Sequence, residues 1–264
     1  MKNKKHYAIV GGILLLLSIP VLGTLLYSIS SVWEASILPE GFSIKWYGQL
    51  LGDMRFLIAL KRSFVLSIVA LGVTLFILIP SIVISAYYFP KILKLIELLS
   101  LLPFMIPAVV LAVGLMKVYS GLNITIFGIP IVIIGAYFSV GFPFIYRGVK
   151  NSLDALHLQG LVETVNILGG TNFDAFRYVI LPNLKKGITS SSILTLAIFL
   201  GEFMFTNLLV GGRYETLQIY LYNMKGKSGH FTSAMVSLFF VFIFIVTLLT
   251  TNLDKIFKKK RGRR

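Results

Sequence analysis

Apolar runs of about 20 residues recur along the chain, and a helix of that length crosses the roughly 30 Å of bilayer hydrocarbon. They predict six spanning helices, at roughly 8–29, 63–89, 95–118, 127–147, 187–210 and 232–253. The expected fold class is therefore all-α, a polytopic membrane protein. The first run follows Lys2, Lys4 and Lys5 and imitates a secretory signal. It is too long for such a signal's apolar region, and no small-x-small cleavage site precedes a polar start, so it reads as a retained span. The segment after it, about 30–62, carries Trp33, Trp46 and Tyr47, aromatics that sit comfortably at headgroup level. Within it, Ser43 to Leu51 has the pattern of a short interfacial helix.

Several runs carry helix breakers. Pro80 lies in the second, Pro103 and Pro107 in the third, and Pro130, Gly135, Gly141 and Pro143 in the fourth. Proline removes a backbone donor and clashes with the preceding turn. In lipid the freed carbonyl must be satisfied by protein or by a water-filled cavity. The Pro103/Pro107 pair is accordingly a candidate for the wall of a solute path, with simple kinked packing as the alternative. No internal repeat is visible, and six spans make a thin wall for a path, which favours a paired subunit.

The longest polar-rich interruption lies between the fourth and fifth runs. Asp154 is placed to cap a helix running to about Leu168, with Leu158, Leu161, Val162, Val165 and Leu168 at helical spacing. Gly169-Gly170 breaks it, and Thr171 or Asn172 starts a second short helix with Phe173, Phe176 and Ile180 on one side. Pro182 is the expected stop, because the residue before a proline resists helical geometry. The product is a helix–turn–helix across one membrane face, able to enter a groove on a soluble partner or simply to cover the bundle.

Composition narrows the class. Hydrophobic residues make up 56% of the chain and charged residues 13%, against about 25% charged in soluble domains. The net charge of +15 could suggest nucleic acid, but the basic residues gather at the ends of apolar runs, where they set topology. Most fall on one side if both termini are cytoplasmic. Without cysteine, disulfides and thiolate chemistry are excluded, and the scattered His6, His157 and His230 give no metal site.

Glu163-Thr164-Val165, three residues, Gly169, nine residues, then Val179-Ile180-Leu181-Pro182 resembles the EAA loop of ABC importer permeases. That pattern reads Glu-Ala-Ala, three residues, Gly, nine residues, Ile-x-Leu-Pro. Thr164-Val165 departs from Ala-Ala and makes close helix approach there less certain; Val179 for Ile is mild. The resemblance covers about Arg62 to Leu253 as a type I permease core. It implies an N-terminal segment 1–61 with the first helix and outer loop, a permease core 62–253 holding a cytoplasmic coupling loop at 148–186, and a basic tail 254–264. Gly41-Phe42-Ser43 to Trp46-Tyr47 and Gly201-Glu202-Phe203 look most like polyamine-type permeases and their phosphonate relatives. By resemblance, Glu163, Thr164, Val165, Gly169, Val179, Leu181 and Pro182 shape the contact with an ATPase dimer that carries ATP and Mg. The other implied partners are a second permease subunit, which the resemblance favours as a different chain, and an extracytoplasmic solute-binding protein. Membrane lipid surrounds the assembly in the bacterial cytoplasmic membrane. The chain itself is then no enzyme and holds no cofactor.

Glu202 lies inside an apolar run, where a charge costs on the order of 2.5–3.5 kcal/mol on insertion scales. It should face a cavity, a paired subunit or water, and with Asn207, Pro103 and Pro107 it is a candidate for the path. Lys225-Gly226-Lys227-Ser228 imitates a phosphate loop, but Leu221 stands where the pattern needs glycine. The tail from Lys255 to Arg264 reads as an anchor to anionic lipid. A gradient-driven channel or carrier, or an embedded scaffold, are the alternative classes; neither explains the loop's spacing.

Overall fold

In the computed structural model the residues described are 2–33, 36–119, 124–126, 128–226 and 228–261. In chain order the helices are α1 (Lys2–Ser28), α2 (Lys45–Gly52), α3 (Met54–Tyr88), α4 (Pro90–Met105), α5 (Ala108–Tyr119), α6 (Ile131–Asp154), α7 (Leu158–Ile167), α8 (Asn172–Asp174), α9 (Leu181–Leu200), α10 (Met204–Leu209), α11 (Leu217–Met224) and α12 (Gly229–Arg261). A small antiparallel pair, β1 (Thr125–Ile126) and β2 (Ile129–Pro130), precedes α6. Ala175–Ile180 is a π-helical segment and Gly211–Tyr214 a 3₁₀ turn.

Among the described residues three helical stretches are long and apolar enough to cross a membrane: Ile9–Ser28, Met54–Tyr88 and Ile131–Asp154. A fourth exists if α4 and α5, bent by 105° at their junction, count as one span. The sequence predicts six apolar spans, and two of its runs turn out to be divided. The third breaks at Ile106–Pro107, as the missing donor of Pro107 demands. The fifth is cut between Leu200 and Met204, and α9 begins with Lys185 and Lys186 in its first two turns.

The chain forms two compact units. The first comprises 1–59 and 220–249. Here the chain after α1 folds back on itself, with Ser31 N–H donating to the Gly41 carbonyl (2.8 Å) and Ser43 N–H to that of Ile29 (2.7 Å). The aromatics expected at headgroup level are tied down internally. Trp46 Nε1 donates to the Ser30 carbonyl (2.8 Å), and the Tyr47 hydroxyl pairs with Ser28 Oγ (2.7 Å). His230 is buried between the rings of Tyr27 and Trp46, with its Nδ1 2.9 Å from the Tyr27 carbonyl. Asp53 caps α3 by accepting from Arg55 N–H (2.8 Å), so that helix starts well before the apolar run at 63.

The second unit comprises 60–219 and 250–264 and contains two apolar cores. One gathers Leu66, Ala70, Ala112, Ile133, Tyr137, Phe199, Phe205 and Leu209, from α3, α5, α6, α9 and α10. The other gathers Leu78, Ile82, Ile145, Val149, Val162, Ala175, Ile180 and Leu184, joining α3 and α6 to the loop and the start of α9.

α6 and α9 run through both cores, and small residues let them approach. A side chain on Gly148 would meet the Gly187 carbonyl at 2.9 Å and Ser191 Oγ at 2.5 Å. One on Gly187 would collide with Ser152 and the Gly148 carbonyl, and one on Gly141 would lie 2.6 Å from the Phe199 ring. Gly187, Ser191 and Thr195 recur every fourth residue, the spacing of close helix packing in membranes.

Candidate functional site

α6 ends at Asp154, whose carboxylate is held by Lys150 Nζ, with Oδ2 at 2.6 Å. Asp154 therefore closes α6 and does not cap α7, which starts at Leu158 after His157 without a side-chain cap. An aspartate four residues beyond a lysine finds that partner more readily than a helix start three residues further on. On α7, Val162 is buried and Val165 half-buried against the core that includes Leu78 and Ile145, while Glu163 and Thr164 face out. The Thr164 hydroxyl donates to the Gly160 carbonyl (2.7 Å). The bulk of Thr164-Val165 is thus accommodated: one side chain points outward and the other packs where Gly170 leaves room. A side chain on Gly170 would lie 2.6 Å from Val165 Cγ1.

The turn itself is closed by backbone groups. Gly169 has φ +82°, the left-handed geometry that glycine adopts without a Cβ penalty. Its N–H donates to the Asn166 carbonyl (3.0 Å) and that of Gly170 to Val165 (2.9 Å). These two bonds make a Schellman ending. It leaves Leu168 at the cap, 80% exposed and off the apolar face where its spacing puts it, beside Ile167 at 85%.

Thr171 and Asp174 then form a capping box. Thr171 N–H donates to Asp174 Oδ2 (2.8 Å), and Asp174 N–H to Thr171 Oγ1 (3.2 Å). The Thr171 hydroxyl, with the backbone bond second, holds the Asp174 carboxyl below the usual range. Asn166 Nδ2 donates to Asn172 Oδ1 (3.1 Å), and Asn172 Nδ2 to the Tyr88 hydroxyl (2.5 Å), tying the loop to the end of α3.

Pro182 does not stop the second helix. The chain passes from α8 through the π segment directly into α9, where Pro182 occupies the first turn. A proline is harmless there because its missing N–H is not needed. Leu181 N–H reaches back five residues to Phe176, and Asn183 Nδ2 covers the Val179 carbonyl (2.8 Å). Val179 and Leu181 are half-buried, whereas Pro182 is exposed, with Tyr178 and Phe173 also largely open.

The candidate path residues lie apart from this loop, with Glu202 and Asn207 beside residues of the other core. Glu202 sits in the break after α9, half-buried, and its carboxylate accepts from Phe205 N–H (3.0 Å) and Thr206 N–H (3.3 Å). It caps α10, while Gln218 Nε2 satisfies the Leu200 carbonyl (3.1 Å). Asn207 is half-buried on α10, which packs against α5. Pro103 lies within α4 and Pro107 precedes α5, at the two sides of the 105° bend. Among the described residues no cluster of three or more metal-binding side chains occurs. The glycine–serine seam between α6 and α9 was not anticipated, although its four-residue spacing stands in the sequence.

A membrane helix bundle with an exposed, self-capped loop between two clamped helices is the frame of a transport permease. The chain belongs to the family of binding-protein-dependent transport system inner membrane components, whose profile matches residues 78–259. This is a family of ABC-transporter permease components and of multi-pass membrane proteins. The chain is 26% identical over 203 residues to NifC of Clostridium pasteurianum, named as a transport system permease, covering 71% of this chain and 70% of NifC. It is 23% identical over 241 residues to PhnV of Salmonella typhimurium, named for a 2-aminoethylphosphonate transport system, covering 91% and 89%. Its fold matches a chain of a crystal structure of a bacterial ABC transporter involved in import of the acidic polysaccharide alginate. That match has a TM-score of 0.67 and 17% identity, and covers 94% of each chain.

Proposed function

We propose that this chain is one permease subunit of an ATP-driven importer, with both termini cytoplasmic and the segment 148–186 as its coupling loop. In this reading the divided runs complete six spans, α4 with α5 as one and α9 with α10 as another. The observation that carries the reading is the loop itself. It is capped at both ends of its turn, yet it leaves Ile167, Leu168 and Tyr178 exposed. Exposed apolar groups on a fixed frame suit a protein groove. Glu163, Thr164, Gly169 and Pro182 flank that surface, and Val165, Val179 and Leu181 seat it on the core. The partner is an ATPase dimer that binds ATP and Mg, and the α6–α9 seam hands its motion to the spans. A second permease subunit completes the path and a binding protein delivers the solute.

The solute is a polyamine, with a phosphonate, iron or another small solute as the alternatives. A polyamine is the reading supported by the Gly41-Phe42-Ser43 and Gly201-Glu202-Phe203 stretches. The likeness to PhnV supports a phosphonate equally, and the backbone bonds of Glu202 weaken its claim as a cation ligand. The path-lining roles of Glu202, Asn207, Pro103 and Pro107 stand as part of this proposal. Mild-detergent purification of the tagged chain with mass spectrometry tests it. Co-purification of a P-loop ATPase and a second permease is expected, and a ligand screen on the binding protein then separates polyamine from phosphonate. A clean homo-oligomer without ATPase overturns the reading in favour of a channel or carrier.

A further inference from the structure

Where the loop meets the end of α3, the second unit has a half-open cavity of about 350 Å³. Its walls include Val83, Ile84 and Tyr87 from α3, with Val162, Phe173 and Phe176 from the loop. None of its lining residues is charged. Of its polar lining groups, Tyr88 and Asn172 are bonded to each other at 2.5 Å, and the remaining one is the Tyr87 hydroxyl. A water-soluble ligand would lose its own hydrogen bonds here and find no charged partner in return. The cavity thus selects an apolar group.

The surface of α3 indicates where that group comes from. Ile77, Ile84 and Tyr88, spaced by seven and four residues, form one stripe on the helix and are all more than 40% exposed. The stripe runs along a helix long enough to cross the membrane and ends in the cavity wall. The exposed stripe thus leads from the apolar span into the cavity wall. The tyrosines at its end belong to the class of residue that marks the headgroup level.

We propose that this cavity holds one acyl chain of a phospholipid from the leaflet on the loop's side, with the headgroup left at the Tyr88–Asn172 rim. The chain packs between α3 and the loop, so the loop's seat on the bundle includes a lipid as well as protein. The proposal needs α3 to span the membrane with this face towards lipid, and it does not depend on what docks at Ile167, Leu168 and Tyr178.

The test is photo-crosslinking of the full chain, purified with whatever partners it retains and reconstituted into phosphatidylglycerol–phosphatidylethanolamine vesicles. One probe lipid carries a diazirine at the acyl-chain end and a second carries it at the headgroup. The chain-end probe should label the peptide around Phe173–Phe176 and the segment Val83–Tyr87. Ile84→Trp, which fills the cavity from an exposed position, should abolish the loop label while leaving the label around Phe76 intact. Phe173→Trp, at a 64% exposed site, provides a second variant that leaves the buried core alone. Loop labelling that survives both variants, or that comes only from the headgroup probe, overturns the proposal. So does crosslinking of this surface to another protein in place of lipid.

Discussion

Two helix interruptions in the second unit are closed in the same way, by an acidic side chain accepting backbone N–H groups, yet they differ in what they depend on. At 168–174 the turn is exposed: Gly169 and Gly170 bond back to Asn166 and Val165, Thr171 pairs with Asp174, and Asn172 ties the whole to Tyr88 of α3. At 200–206 the half-buried Glu202 caps the next helix through Phe205 and Thr206, and the Leu200 carbonyl is satisfied by the Gln218 side chain from inside the bundle. A turn to be presented to a partner must hold its shape before the partner arrives. A break inside an apolar layer must satisfy its polar groups from any neighbour, because lipid offers none.

The comparison can be broken first through the seam that both interruptions share. Gly187→Leu pushes a side chain into Ser152 and the Gly148 backbone, and should destabilise the fold by about 3 kcal/mol, the upper range for overpacking. Thermal unfolding in detergent reads this directly, and an unshifted midpoint would mean the helices can separate freely. Next, Glu202→Ala removes a charged acceptor from two donors and should cost about 2 kcal/mol. Glu202→Gln keeps one acceptor and should recover much of that stability. If Gln restores stability but uptake of a cationic solute stays weak, Glu202 also serves the path.

Gly169→Val sharpens the other side. A side chain there meets no neighbour, so its cost is the left-handed backbone alone, about 1–2 kcal/mol. Insertion should be intact and uptake lost, with Gly169→Asn partly restoring it; normal uptake by the valine variant would remove the turn from coupling. Thr171→Ala should cost about 1 kcal/mol by loss of the cap, seen as faster proteolysis confined to the loop.

The smallest effect is that of pH. The Asp174 carboxyl titrates below its ordinary value in the folded loop, because the Thr171 hydroxyl and backbone hold the ionised form. That contribution is complete above the ordinary carboxylate pKa of about 4 and is lost as pH falls through the lowered value. The loop's susceptibility to cleavage should be flat across neutral pH and rise only in acid. In Thr171→Ala the acid rise should flatten.

Much of this was legible in the residues. Gly169-Gly170 and Thr171 announce their turn because its determinants lie within a few positions. The Pro103/Pro107 pair likewise marks the third run, which bends at Ile106–Pro107. Pro182 misled, since the same residue that ends one helix suits the first turn of the next, and only the π segment before it decides between them. Asp154 misled because its lysine partner competes with the cap. The cut at Gly201 was hidden inside a continuous apolar run, and the setting of His230 between Tyr27 and Trp46 depends on residues from distant sequence. The family was readable from fixed spacing in the loop; the solute was not, because no comparably local pattern specifies it.

The α6–α9 seam also bears on how the chain is made. Its two halves leave the ribosome one after the other, with the whole of the loop between them. α6 therefore enters the bilayer with Gly141 and Gly148 facing nothing, and stays so until Gly187 and Ser191 have been synthesised. The turn at 168–174 needs no help from α9 and can set during that interval, so nascent α9 would meet a partner whose connecting piece is already shaped. Until then the glycine face of α6 is open to any helix whose small residues share its spacing, and the short connection through the loop brings α9 to it first.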